Sequence, residues 1–156
     1  MNWLTFAVQW LHVLLAILWF GYSLSMSVLV APALARLPEG PQREANFHLG
    51  QLGSRIFPIV APLVILLGVV RGTVFGPIDS MDALFGTGYG ITWLVALLVS
   101  IALVVNGARN IGPASMAMKD APDFAAAGAR LQRFAQIDLV GFAIVFTCMI
   151  LMRFGL

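Results

Sequence analysis

Four stretches of the chain carry apolar residues almost without interruption, and short polar segments separate them. The first runs from about Trp3 to Val30 with no charged residue. The second starts near Ile56 and stays uncharged to Val70, with Arg71 beyond. The third runs from about Tyr89 to Val105 and the fourth from Ile137 to Met152. A hydrocarbon core of about 30 Å needs roughly 20 helical residues to cross. The pattern therefore predicts an all-α integral membrane four-helix bundle forming a single domain over 1–156, with spans at about 3–30, 56–72, 89–106 and 136–153. Pro58 falls in the first turn of the second span, where proline is tolerated. Pro62 falls further in, where a kink is expected and neighbouring helices can absorb it. The N-terminal stretch lacks the basic start of a signal peptide and is too long for one, so it reads as a retained first span.

The segments between the spans are not all loops. Pro41 followed by Gln-Arg-Glu-Ala-Asn-Phe-His-Leu reads as a helix start with proline at its first position, and this helix can run straight into the second span. Pro122-Asp123 reads as a second start, with the aspartate at the positive helix end. The connection holding Gly72, Gly76, Pro77, Gly86, Gly88 and Gly90 reads as a loop. Connections one and three hold Arg36, Arg43, Arg55, Arg109, Lys119, Arg130 and Arg133, whereas connection two holds Arg71 alone and the tail Arg153. The positive-inside rule then places connections one and three in the cytoplasm. Both termini are expected on the outer, periplasmic side of an inner (cytoplasmic) membrane.

Composition agrees with this picture and excludes several functions. The chain is 60% hydrophobic and 10% charged, against about 25% charged in an ordinary soluble domain. Its nine cations are scattered, so there is no basic stripe for nucleic acid, and the expected partner is the lipid bilayer. The single cysteine, Cys148, rules out an internal disulfide and a C-x-x-C-H haem attachment. No phosphate-binding glycine loop, serine nucleophile elbow or paired intramembrane carboxylate is present.

Polar side chains inside a bilayer must be paired, so each one is a pointer to structure or function. His12 is the strongest, about 13 Å into the first span at 1.5 Å per residue. Trp19, seven positions on, shares its face, and Ala16, Ser23 and Met26 follow along the same stripe. A neutral imidazole with an indole and small residues beside it can edge a flat cofactor such as a b-type haem. It can equally bond a neighbouring helix and hold the bundle together. His48 reads as a solvated or interfacial histidine. Asp138 is expected to pair with Arg133 or Arg130 near the cytoplasmic face, and Asn106 and Asn110 to cap the inner end of the third span. Met26, Cys148 and Met149 are the soft side chains that could serve copper.

The first span also carries a resemblance. Leu11-His12-Val13, then Ile17, then Trp19-Phe20-Gly21, is similar to the first-span signature of a membrane superfamily that includes CopD-type copper-resistance proteins, HemJ-type protoporphyrinogen oxidases and the membrane domain of PuuD-type urate oxidases. The likeness continues through Pro32-Ala33-Leu34, Arg55-Ile56-Phe57 and Gly68-Val69-Val70-Arg71-Gly72, and becomes generic in the second half. The resemblance implies a bundle of four or more helices and, in its HemJ branch, haem b bound through the first-span histidine, here His12. On that correspondence the cofactor-binding residues are His12, Trp19, Ser23 and Met26, with His12 as the metal ligand. The third-span lysine of the HemJ type has no counterpart, since the only lysine is Lys119. The sequence thus leads to a haem-binding membrane protein with a redox or electron-transfer role, and to a haem-dependent oxidoreductase if it is an enzyme. The alternatives are a non-catalytic accessory subunit of a larger membrane complex, or a copper-handling module. A homo-oligomer is compatible with each.

Overall fold

A computed structural model describes residues 2–156 and contains helices and turns but no strand among them. Four helical spans, Trp3–Leu34, Glu39–Thr73, Gly88–Asp120 and Phe124–Arg153, are each long and apolar enough to cross a membrane. The protein is an all-α, multi-pass membrane bundle whose outer surface meets lipid. Side chains such as Trp3 (79% exposed), Ile59 (69%) and Val140 (63%) stand on that surface.

The first span is not one uniform helix. α1 (Trp3–Ser25) passes through a five-residue π turn at Met26–Val30 into the short α2 (Ala31–Leu34). Pro32 explains the turn. It has no N–H for the carbonyl four residues back, and its ring would press on that carbonyl in a regular helix. Widening the turn, with the Ala31 N–H bonded to the Met26 carbonyl, relieves both problems. The third span repeats the device: α5 (Gly88–Asn106), a π turn at Gly107–Ile111, then α6 (Gly112–Ala117) with Pro113 near its start.

The other two spans are longer than the apolar pattern alone suggests. α3 (Glu39–Thr73) is one unbroken helix of 35 residues that emerges from the apolar zone, as the sequence allowed. It begins two residues before Pro41, with Pro38 as its cap, so the expected start at Pro41 is displaced by half a turn. Pro58 consequently lies deep inside the helix and not in its first turn, and Pro62 lies inside as well. α7 (Phe124–Arg153) begins at Asp123, whose carboxylate accepts from the Ala126 N–H at 2.9 Å. The connection expected to be all loop holds a further short helix, α4 (Met81–Gly86), capped by Ser80.

The spans pack in sequence order around a ring: α1 on α3, α3 on α5, α5 on α7, with a lighter closure of α7 on α1. The core is small: Trp19, Val60, Ala61, Val64, Leu103 and Phe142. Only 6% of the first span's apolar window is buried, against 17–22% for the other three, so α1 is the peripheral member. At one end, Arg43 of α3 donates to Glu39 and to the carbonyls of Met118, Lys119 and Ala121, tying α3 to the turn before α7. At the other end Arg71 Nε donates to Gln9 Oε1 at 2.9 Å, joining α3 to α1. The two cation-rich connections therefore share one end, and both termini lie at the other.

Candidate functional site

His12 faces the bundle interior and is 8% exposed. Its Nδ1 lies 2.9 Å from the carbonyl oxygen of Val64 on α3. A carbonyl can only accept, so Nδ1 carries the proton and donates, and Nε2 keeps its lone pair. Nε2 has no hydrogen-bonding partner among the described residues. It is not sealed off either, because no fully buried side-chain nitrogen or oxygen among those residues lacks a partner. This is the arrangement metal-bound histidines adopt, with one nitrogen fixed by a carbonyl and the other free.

α3 makes room for the ring with a glycine. A Cβ at Gly68 would stand 3.1 Å from His12 Cε1, so even a methyl group there would make the imidazole give by a few tenths of an ångström. One turn on, the indole of Trp93 from α5 occupies the space where a Cβ at Gly72 would project. The small-xxx-small pair Gly68 and Gly72 thus receives two rings, one from each neighbouring helix, where such pairs often let backbones touch.

Trp19 is buried on the same face as His12, as the spacing required, but its indole belongs to the core. It meets Phe142 edge-on, with ring centroids 5.1 Å apart, and Phe20 meets the same ring at 5.4 Å. These contacts join α1 to α7. Ser23 and Met26 are half-buried and lie about 16 Å and 21 Å along the axis from His12 at 1.5 Å per residue. Metal–ligand bonds are about 2 Å long, so neither can share a coordination sphere with His12. The Ser23 carbonyl accepts from Ser27 Oγ at 2.9 Å beside the first π turn. Register from the Trp19–Phe142 and Leu103–Gly141 contacts places buried Ala96 of α5 and buried Cys148 of α7 at the level of His12. Met149 neighbours them but is 36% exposed. No group of three or more His, Cys, Asp or Glu capable of holding a metal occurs among the described residues.

A second polar cluster lies toward the basic end and departs from expectation. Asp138 is 5% exposed and bonds to neither Arg130 nor Arg133. Arg133 is five residues away, about 140° around the helix at 100° per residue, so it points elsewhere. Asp138 instead accepts from Asn106 Nδ2 on α5 at 2.8 Å, and the same amide donates to the Phe134 carbonyl at 3.1 Å. Asn110 Nδ2 in turn donates to Asn106 Oδ1 at 2.8 Å. Asn106 therefore cross-links α5 to α7, braced by Asn110 from its own span, and neither caps a helix, which continues past them through the second π turn. The sequence did not reveal this ladder, because pairing between helices depends on register. His48 is exposed, with its Nε2 3.8 Å from Glu44, as read from the sequence.

Haem b fits this chain at the donor atom: His12 presents one ring nitrogen free and the other fixed. Two cavities of the bundle lie away from it, around Arg109 and Arg130 and around Arg133. Comparison with known proteins adds no constraint: no family model, curated protein or solved structure matches the chain.

Proposed function

We propose that the protein is a membrane-embedded haem b protein with a redox role, holding the iron through His12 Nε2. The observation that carries this reading is the hydrogen bond from Nδ1 to the Val64 carbonyl, which fixes the tautomer and orientation a ligand needs. The first-span likeness to the CopD and HemJ superfamily points to the same residue. Bound haem supplies a one-electron centre. The chain's own residues supply the rest. Val64 orients the imidazole, Gly68 leaves it space, and Arg71, held by Gln9 one turn outward, offers a cation to carboxylates at that end. Entry of a macrocycle requires α1 to stand away from α7, the lightest closure in the ring of helices. Connections one and three face the cytoplasm in this proposal, and both termini face outward.

The test is the absorption spectrum of detergent-purified protein, oxidised and reduced, before and after adding haem. His12→Ala removes the iron ligand together with the tie to α3. His12→Gln removes the ligand but keeps an amide donor for Val64. A Soret band present in wild type and lost in both variants is the expected result. Wild type without a band after haem addition sinks the proposal. A second reading, an accessory subunit of a larger complex, is favoured by the exposure of α1, whose Trp10 (58% exposed) and Ile17 (63%) suit a partner helix as well as lipid. A stable partner protein retained in mild detergent, with no pigment, would select it. The copper-handling alternative lacks this support, because Met26 lies far from His12, Cys148 and Met149.

A further inference from the structure

A cavity of about 410 Å³ lies at the basic end between the α5–α6 segment and the start of α7. Its walls are small: Pro113, Ala114, Ala117 and Ala126 leave the space that larger residues would fill. Its polar side chains include Arg109 and Arg130. Neither arginine has a carboxylate partner among the described residues, where Glu39 pairs with Arg43 and Glu44 with His48. Asp123, the acid nearest in sequence to α7, is turned onto the Ala126 N–H. Arg130 lies over the Phe134 ring at 5.6 Å, which steadies the guanidinium without neutralising it. Two uncompensated cations therefore face one hollow with apolar walls.

A second hollow lies further along α7. It measures about 290 Å³ and is lined by Arg133, Gln136, Ile137 and Val140. Arg130 and Ile137 are seven residues apart and fall on one stripe of the helix. Along that stripe the surface passes from guanidinium groups to bare hydrocarbon, in the direction of the membrane interior. This matches an amphiphile with an anionic head and an apolar chain. Basic pockets between helices at a membrane surface select such headgroups.

We propose that these two hollows bind one anionic phospholipid, its phosphate between Arg109 and Arg130 and an acyl chain along Ile137 and Val140. A free phosphate would satisfy the arginines and leave the groove unused, so the chain contact separates the two sources. Each arginine near a charged lipid surface is worth about fivefold in binding, so losing both costs about twenty-fivefold.

The experiment is native mass spectrometry with thermal unfolding on the full chain in mild detergent, titrated with phosphatidylglycerol, phosphatidylcholine or inorganic phosphate. Wild type should retain one phosphatidylglycerol and unfold at a higher temperature with it than with phosphatidylcholine. R109Q/R130Q should lose about twenty-fivefold in that affinity, while R55Q, at the same end but outside the cavity, should keep it. Val140→Trp fills the groove without touching the arginines and should weaken the lipid alone. It keeps the test decisive if the double variant proves unstable. Equal affinity for phosphatidylcholine, or an unchanged double variant, overturns the proposal. Inorganic phosphate reproducing the whole effect also overturns it, in favour of a soluble anion.

Discussion

A methyl group added at Gly68 would sit 3.1 Å from His12 Cε1, closer than most carbon contacts in folded proteins. Gly68→Ala should therefore shift the ring by a few tenths of an ångström and lengthen its bond to Val64. Gly68→Val should expel it at about 1–3 kcal/mol, the usual range for overpacking. Unfolding in mixed detergent micelles measures both, and any haem bound through His12 should weaken in the same order. Asp138 gives a complementary case. Asp138→Asn keeps an oxygen where Asn106 needs an acceptor and should be close to neutral. Asp138→Ala leaves one of that amide's two N–H groups without its acceptor, at about 1–3 kcal/mol. Equal stability of the two variants would show that the ladder does not hold α5 to α7. That His12 and Trp19 share one stripe of the first helix follows from their spacing, whereas the inward turn of that stripe follows only from the packing of α1 on α3 and α7. The partners of Asp138 do not follow from sequence, because the nearest cations along the chain are on the wrong side of the helix while the true partner lies 32 residues away.

At the scale of elements, Arg43 carries an unusual share of the contacts. It bonds Glu39 within α3, reaches three carbonyls around the turn at Met118–Asp120, and lies 4.6 Å over the ring of Phe124. Those carbonyls end one helical segment and would otherwise need water. Arg43→Ala should cost about 1.5–3 kcal/mol, the range for a charged hydrogen-bond donor, and should raise protease cleavage between 118 and 123 first. Arg43→Lys should recover only part of the loss, since a single ammonium cannot span the fork. Cleavage unchanged in Arg43→Ala would mean that the turn is held by other contacts. The sequence marked a helix start near Pro41 but placed it two residues late. Proline is admissible anywhere in the first turn, so it brackets a start without fixing it. The two π turns were not legible as such: Pro32 and Pro113 announce a disturbance, but whether the chain breaks, kinks or widens depends on what packs against it.

Across the whole molecule the chain forms two helical hairpins of the same plan. α1 to α3 and α5 to α7 each run as a span, a π turn, a proline-bearing short helix, a tight connection and a long returning helix. Aligning the π turns pairs His12 with Trp93, and both rings rest against glycines of α3 one turn apart. No sequence repeat betrays this likeness, because backbone devices repeat while the side chains on them have diverged in size and polarity. The shared plan also fixes the parity of the ends: two connections at one end, and the third with both termini at the other. Which end faces the cytoplasm rests on the excess of cations in connections one and three, and a labelling experiment decides it. Gly40 and Gly86 are exposed at opposite ends, and a Cβ at either meets nothing within 4 Å, so a cysteine fits both. The native Cys148 is buried and should stay silent toward an impermeant maleimide. In intact cells Gly86→Cys should label from outside, and Gly40→Cys only after permeabilisation. The reverse pattern would invert the topology and move His12 from the outer to the inner half of the bilayer. Under the proposed redox role, that would change which compartment faces the haem site. Labelling of both from the same side would contradict the four-span bundle itself.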